Sequence, residues 1–208
     1  MADQRRKHGA AKGPVHAALS EGTRDGHMAL HRHAKLSRYQ SAELTEHEYR
    51  ELLKATFGFV ASVEARRAAL SVHADLGLDR SVARLHEDLK QLRIEVDAVP
   101  CANLGWLTDS PAVLGGLYVF HGSGFGGPML AKSVAATLPS MPVRYLGGGV
   151  DREQWPKLLA ALEQLPLEGP QLQAHLVAGA SRVFAEYGAW VTENARFEAP
   201  SAEGADGR

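Results

Sequence analysis

The sequence predicts an all-α domain, and three observations predict it. Apolar residues recur at three- and four-residue spacing through most of the chain. Helix-start signals stand in front of several of those stretches, and helix signals outnumber strand signals between the two ends. In chain order, Val15, Leu19, His27 and Leu30 fall on one side of a first helix. Thr45-Glu46-His47-Glu48 is a capping box: the threonine oxygen accepts the Glu48 N–H and the Glu48 carboxylate reaches back. Tyr49, Leu52, Leu53, Thr56, Val60 and Val63 then form the inner face of a second helix. Ser81 is the expected cap of a third, with Val82, Leu85, Leu89, Leu92 and Val96 turned inward. Ser110-Pro111 supplies an N-cap followed by proline at the first helical position, where a missing N–H costs nothing. Asp151 starts a short helix through Gln164, and Gly169-Pro170 precedes a last one bearing Leu172, Leu176, Val183, Phe184, Tyr187 and Trp190.

A length of 208 residues with 45% hydrophobic content suits one domain with an ample core. That domain is expected over residues 15–198. A basic Gly/Ala-rich arm over 1–14 and a loose tail over 199–208 have the composition of disordered segments. With 23 basic and 24 acidic side chains, the net charge of -1 offers no attraction to nucleic acid or anionic lipid. No apolar run approaches the length of a membrane span. The single cysteine, Cys101, excludes an intrachain disulfide and thiolate clusters, and it reads as an idle or buried thiol. The expected location is the cytoplasm.

The fourth helix carries an anomaly. Val113, Leu114, Leu117 and Tyr118 keep helical spacing, and then come Gly122-Ser123-Gly124-Phe125-Gly126-Gly127-Pro128. Glycine in a helix interior costs about 0.8–1 kcal/mol relative to alanine, and proline about 3. This stretch should kink or unwind. Missing Cβ atoms would let backbone lie against a flat ligand, but a plain connecting loop has the same composition. The same glycines also satisfy G-x-G-x-x-G, so a nucleotide-binding βαβ unit with strands over 117–120 and 141–146 is a rival reading. The Ser110-Pro111 start and the absence of further βαβ units weigh against it.

Ten histidines are many for this length. His27 and His31 stand four apart on one helix face, a metal-sharing spacing. No histidine has an acidic residue three positions before it, as di-iron bundles require, and a zinc site would need a third ligand. His8, His16, His33, His47, His73, His86 and His175 read as surface or satisfied core residues.

His27 differs through its neighbourhood. Thr23-Arg24-Asp25-Gly26-His27 resembles the T-R-x-x-H stretch of bacterial heme oxygenases. The segment from Tyr118 to Gly127 is similar to their Y-V-x-E-G-S-x-x-G-G distal helix, including the forms found with bacteriophytochromes. Phe57-Gly58-Phe59 and Val63-Glu64-Ala65 look like the family's next helix, and the resemblance spans roughly residues 15–195. It implies a heme oxygenase-like helical bundle with a kinked, glycine-rich distal helix. It also implies b-type heme as both cofactor and substrate, opened with O2 to biliverdin, CO and ferrous iron. The electrons would come from an external ferredoxin or NAD(P)H-dependent reductase, and a bacteriophytochrome is a candidate biliverdin acceptor. By the same resemblance His27 would ligate the iron, and Gly122, Ser123, Gly126 and Gly127 would lie over the bound oxygen. Lys132 would meet a propionate, with Arg24, Arg144 and Lys157 as other candidates, and Phe184 would form distal wall.

Three positions depart from family patterns. Ser123 stands where animal enzymes carry an aspartate. His121 replaces a glutamate: turned inward it would meet the ligand or compete for iron, and the favoured reading turns it outward into solvent. His31 occupies a position where relatives often have an acidic neighbour of the proximal ligand. His121 and Ser123 motivate a second reading, a non-catalytic heme carrier or sensor on the same fold.

Overall fold

The computed structural model describes residues 13–165 and 170–197, and among them every regular element is helical. Most of the expected arm, residues 166–169 ahead of the last helix, residue 198 and the tail lie outside the described residues; Gly13 and Pro14 do not, and Pro14 opens the first helix.

The expected first helix is two. α1 (Pro14–Gly22) and α2 (Arg24–His31) meet at Thr23, whose backbone leaves helical geometry and whose hydroxyl donates to the Leu19 carbonyl at 2.7 Å. Val15 and Leu19 are thus core residues of α1, while His27 sits on a separate helix with no fully buried side chain. A 3-10 turn, Leu36–Gln40, leads to α3 (Glu46–Ala69). The Thr45/Glu48 capping box is formed as expected, with the Glu48 N–H to Thr45 Oγ1 at 3.2 Å and the Thr45 N–H to Glu48 Oε2 at 2.9 Å. α3 is the central element. Tyr49, Leu52, Leu53, Phe59, Val60 and Val63 are all 1% exposed or less; each aliphatic side chain so buried contributes about 1.5–3 kcal/mol.

α4 (Asp79–Gln91) starts two residues before Ser81, so the serine is not its cap. No side chain among the described residues caps α4; Glu64 of α3, paired with Arg67, accepts the Leu78 N–H at 2.7 Å and ties the residue ahead of the helix to α3. α5 (Ser110–Ser123) is capped by Asp109, which accepts the Ala112 N–H at 2.9 Å. Ser110 is its first residue, and its hydroxyl meets His73 Nε2 at 2.8 Å. α6 (Gly127–Thr137), α7 (Arg144–Gly147), α8 (Gln154–Gln164) and α9 (Pro170–Asn194) complete the chain. Asp151 Oδ1 accepts the Glu153 and Gln154 N–H groups, and α8 starts at Gln154, three residues after the Asp151 start that the sequence predicts.

α5 packs most extensively on α9. A Cβ on Gly115 would lie 2.7 Å from the Leu176 carbonyl oxygen, and one on Gly179 2.8 Å from Ala112 Cα. The two backbones therefore approach more closely than side chains allow. Residues 117–120 lie inside α5 and residues 141–146 lead into the short α7, with no strand among the described residues. The βαβ reading of Gly122, Gly124 and Gly127 is overturned. No described helix is long and apolar enough to cross a membrane. Cys101 is exposed rather than buried.

Candidate functional site

α2, the 36–40 turn, the α5–α6 junction, the start of α4 and the start of α8 surround a cleft of about 870 Å³, within the range of small-molecule and cofactor sites. His27 and Phe184 line it, as do the residues from Tyr118 through Gly127.

His27 projects from α2 with an exposed ring. Its ring stands edge-on to Phe184, with centroids 6.0 Å apart. Gly26 makes that placement possible, because a Cβ there would come within 2.9 Å of Phe184 Cβ. Phe184 is therefore the wall of the cleft beside His27. His27 Nε2 lies 3.3 Å from His31 Nε2. Burial, then the neighbouring His31, lowers the His27 pKa below its ordinary value, so the imidazole is neutral and a competent ligand near pH 7.

The helix does break at the glycines: α5 ends at Ser123, α6 begins at Gly127, and three turn residues join them. The glycines divide into two kinds. A Cβ on Gly122 would meet only Trp155, at 3.8 Å, and one on Gly126 only the Ser123 carbonyl, at 3.8 Å. A methyl at either of these two would make only an ordinary contact, and both border the cleft. A Cβ on Gly124 would come within 2.8 Å of Gly149 and Val150 backbone atoms, and one on Gly127 would collide with the Leu146 carbonyl. Those two serve the closure of the junction onto residues 146–150. Gly127 borders the cleft, but its missing side chain belongs to packing.

His121 is buried, against the favoured outward reading. Its Nε2 donates to the Leu76 carbonyl at 2.9 Å. Burial lowers its pKa despite that bond, because desolvation disfavours the cation. The fold explains the misreading: the 74–76 turn folds over this face of α5, and helical periodicity carries no trace of it. Ser123 Oγ donates to the Phe120 carbonyl at 2.7 Å, which commits its only proton.

Other hydroxyls line the cleft that the sequence did not single out. Thr56 donates to the Leu52 carbonyl at 2.7 Å and so accepts from Tyr187, 2.9 Å away. Burial pushes the Tyr187 phenol up to about 12, so it stays a donor. The Tyr39 hydroxyl is buried with no hydrogen-bond partner among the described residues. Tyr39, in a segment without a motif, left no sequence signal.

The cations also differ from expectation. Lys132 is an exposed residue of α6 that does not line the cleft. Arg144 is held at Asp88 and Gln91, and Lys157 does not border the cleft. Arg24, Arg80 and Arg84 do. Arg24 pairs with Glu21, and Arg80 with Asp151 at 2.6 Å. Arg84 makes no ion pair with any described residue.

No protein-family model and no curated protein matches the sequence. The fold does match solved structures. A heme oxygenase from Leptospira interrogans superposes with a TM-score of 0.71 at 18% identity, covering 87% of this chain and 100% of that one. Heme oxygenase-1 from the cyanobacterium Synechocystis, solved with heme, gives 0.68 at 16% identity, covering 87% and 92%. The NO- and CO-bound heme oxygenase of Neisseria meningitidis gives 0.67 at 22% identity, covering 89% and 96%. Nearly the whole of each neighbour is matched by an all-helical chain whose cleft lies between a histidine-bearing helix and a glycine break, and the fold is that of the bacterial heme oxygenases.

Proposed function

We propose that this protein is a heme oxygenase, cleaving heme to biliverdin, CO and ferrous iron. One observation carries the proposal: the His27 imidazole and the side-chain-free positions Gly122 and Gly126 border the same cleft. Bound heme supplies the iron that takes O2 and is itself the substrate, with electrons from a ferredoxin or an NAD(P)H-dependent reductase.

The chain's residues supply binding, orientation and a dry wall. His27 offers neutral Nε2 to the iron, and its Phe184 contact fixes the ring plane. Gly122 and Gly126 let a flat ring approach the backbone, and the Trp155 and Tyr118 rings, 5.7 Å apart between centroids, line the same cleft. Ser123 has given its proton to Phe120, so the unpartnered Tyr39 hydroxyl is the better donor to water in the cleft. Arg84 is the cation available to the propionates, and Arg24 would first have to leave Glu21. Biliverdin made here would suit a bacteriophytochrome as acceptor, by the resemblance to enzymes that accompany one.

The carrier reading was motivated by Ser123 and by His121 as a competing iron ligand. Nε2 of His121 is taken by Leu76, which removes the main support for that reading.

The test is hemin titration of the protein, followed by ascorbate or a ferredoxin system in air. A Soret band that decays into a biliverdin spectrum is expected. A stable band under reductant would move the reading to a carrier, and no band would end it. Because His31 lies so close, loss of the ligand is read in the His27→Ala/His31→Ala double variant. Wild-type hemin spectra in that variant would refute the assignment of His27.

A further inference from the structure

The pairing of His27 with His31 reaches beyond a single iron ligand. Both rings are exposed on one face of α2, and their Nε2 atoms are 3.3 Å apart. Zinc binds imidazole nitrogen at about 2.0–2.1 Å in tetrahedral sites. Two such bonds spanning 3.3 Å enclose an angle of about 107°, close to the tetrahedral value. The pair is thus set for one ion without moving either helix turn.

We propose that in the heme-free protein His27 and His31 together bind a divalent zinc ion. In the direct contact between the rings one Nε2 donates its proton to the other. Moving that proton to Nδ1 of the same ring frees both Nε2 lone pairs, with no net proton released. No group of three or more His, Cys, Asp or Glu side chains suited to a metal occurs among the described residues. Water therefore completes the coordination, which makes the ion exchangeable rather than structural. The same His27 serves the heme, so zinc and hemin exclude each other at this site; that competition rests on the heme reading above.

The experiment is calorimetric titration of the heme-free full chain with Zn²⁺, repeated on His31→Ala and His27→Ala. Both residues are exposed, and alanine is the better helix former, so unchanged far-UV circular dichroism is expected. A site weakened by at least about tenfold, or 1.4 kcal/mol, in each variant supports the proposal. Binding as tight in either variant as in the wild type overturns it. Hemin titration with and without Zn²⁺ separates the two readings. Zinc binding that needs both histidines in a protein giving no Soret band would sustain the metal site and end the heme reading. A normal Soret band with zinc binding indifferent to His31 would do the reverse.

Discussion

The division of the junction glycines into packing and cleft positions predicts opposite responses to one added methyl. Gly124 and Gly126 both have right-handed helical dihedrals, φ −57°, ψ −22° and φ −83°, ψ −24°. Alanine therefore fits either backbone, and the unfolded chain is stiffened alike in both variants, worth about 0.4–1 kcal/mol in favour of folding. What differs is the space. At Gly124 the methyl would stand 2.8 Å from three backbone atoms of Gly149 and Val150, which cannot rotate away. Overpacking of this kind costs about 1–3 kcal/mol. At Gly126 the nearest atom is 3.8 Å away, an ordinary contact. The two alanine variants should differ by about 2 kcal/mol, with Gly126→Ala at or above wild type and Gly124→Ala below it. For a domain of this size that is a separation of about 4–8 °C in Tm. Urea and thermal unfolding followed by circular dichroism measure it. Equal stabilities, or the reverse order, would refute the assignment of which glycine faces the cleft.

Two further outcomes follow from buried groups. Asp88, with no exposed surface, accepts the Arg144 and Tyr145 N–H groups at 3.1 and 2.9 Å. Asp88→Ala orphans both, and a loss of about 2–4 kcal/mol is expected in the same unfolding assay; a loss below about 1 would mean that α7 finds other acceptors. His121 has a folded pKa below its ordinary 6.5, so the unfolded chain binds the extra proton first as pH falls. The stability it contributes is present above pH 6.5 and is lost as pH falls from there toward the folded pKa. His121→Gln should flatten that limb of the stability–pH curve, and an unchanged slope would exclude His121 as its source.

Much of the site was legible because its signals are local. Thr23 through His27, the Thr45/Glu48 box and the glycine run are each contiguous, so chain order alone brought them to notice. His121, Tyr39 and Arg84 were misread or passed over because their roles come from elements remote in sequence. The 74–76 turn buries His121, the 36–40 turn carries Tyr39 to the cleft, and α4 brings Arg84 to it. Phe184 was singled out as facing inward, but helical phase does not say that His27 is the neighbour it meets.

By itself the sequence determined an all-helical chain, its longest capped helix, and a break where four glycines and a proline make continuous helix too costly. Those are consequences of short-range propensity and hydrogen bonding, which act within a few residues. The tertiary structure decided which glycines face the cleft and which ones close the junction, and that Glu64 of α3 holds the backbone of the residue ahead of α4. Each of these depends on where packing sets one backbone against another, and no window along the chain contains both partners.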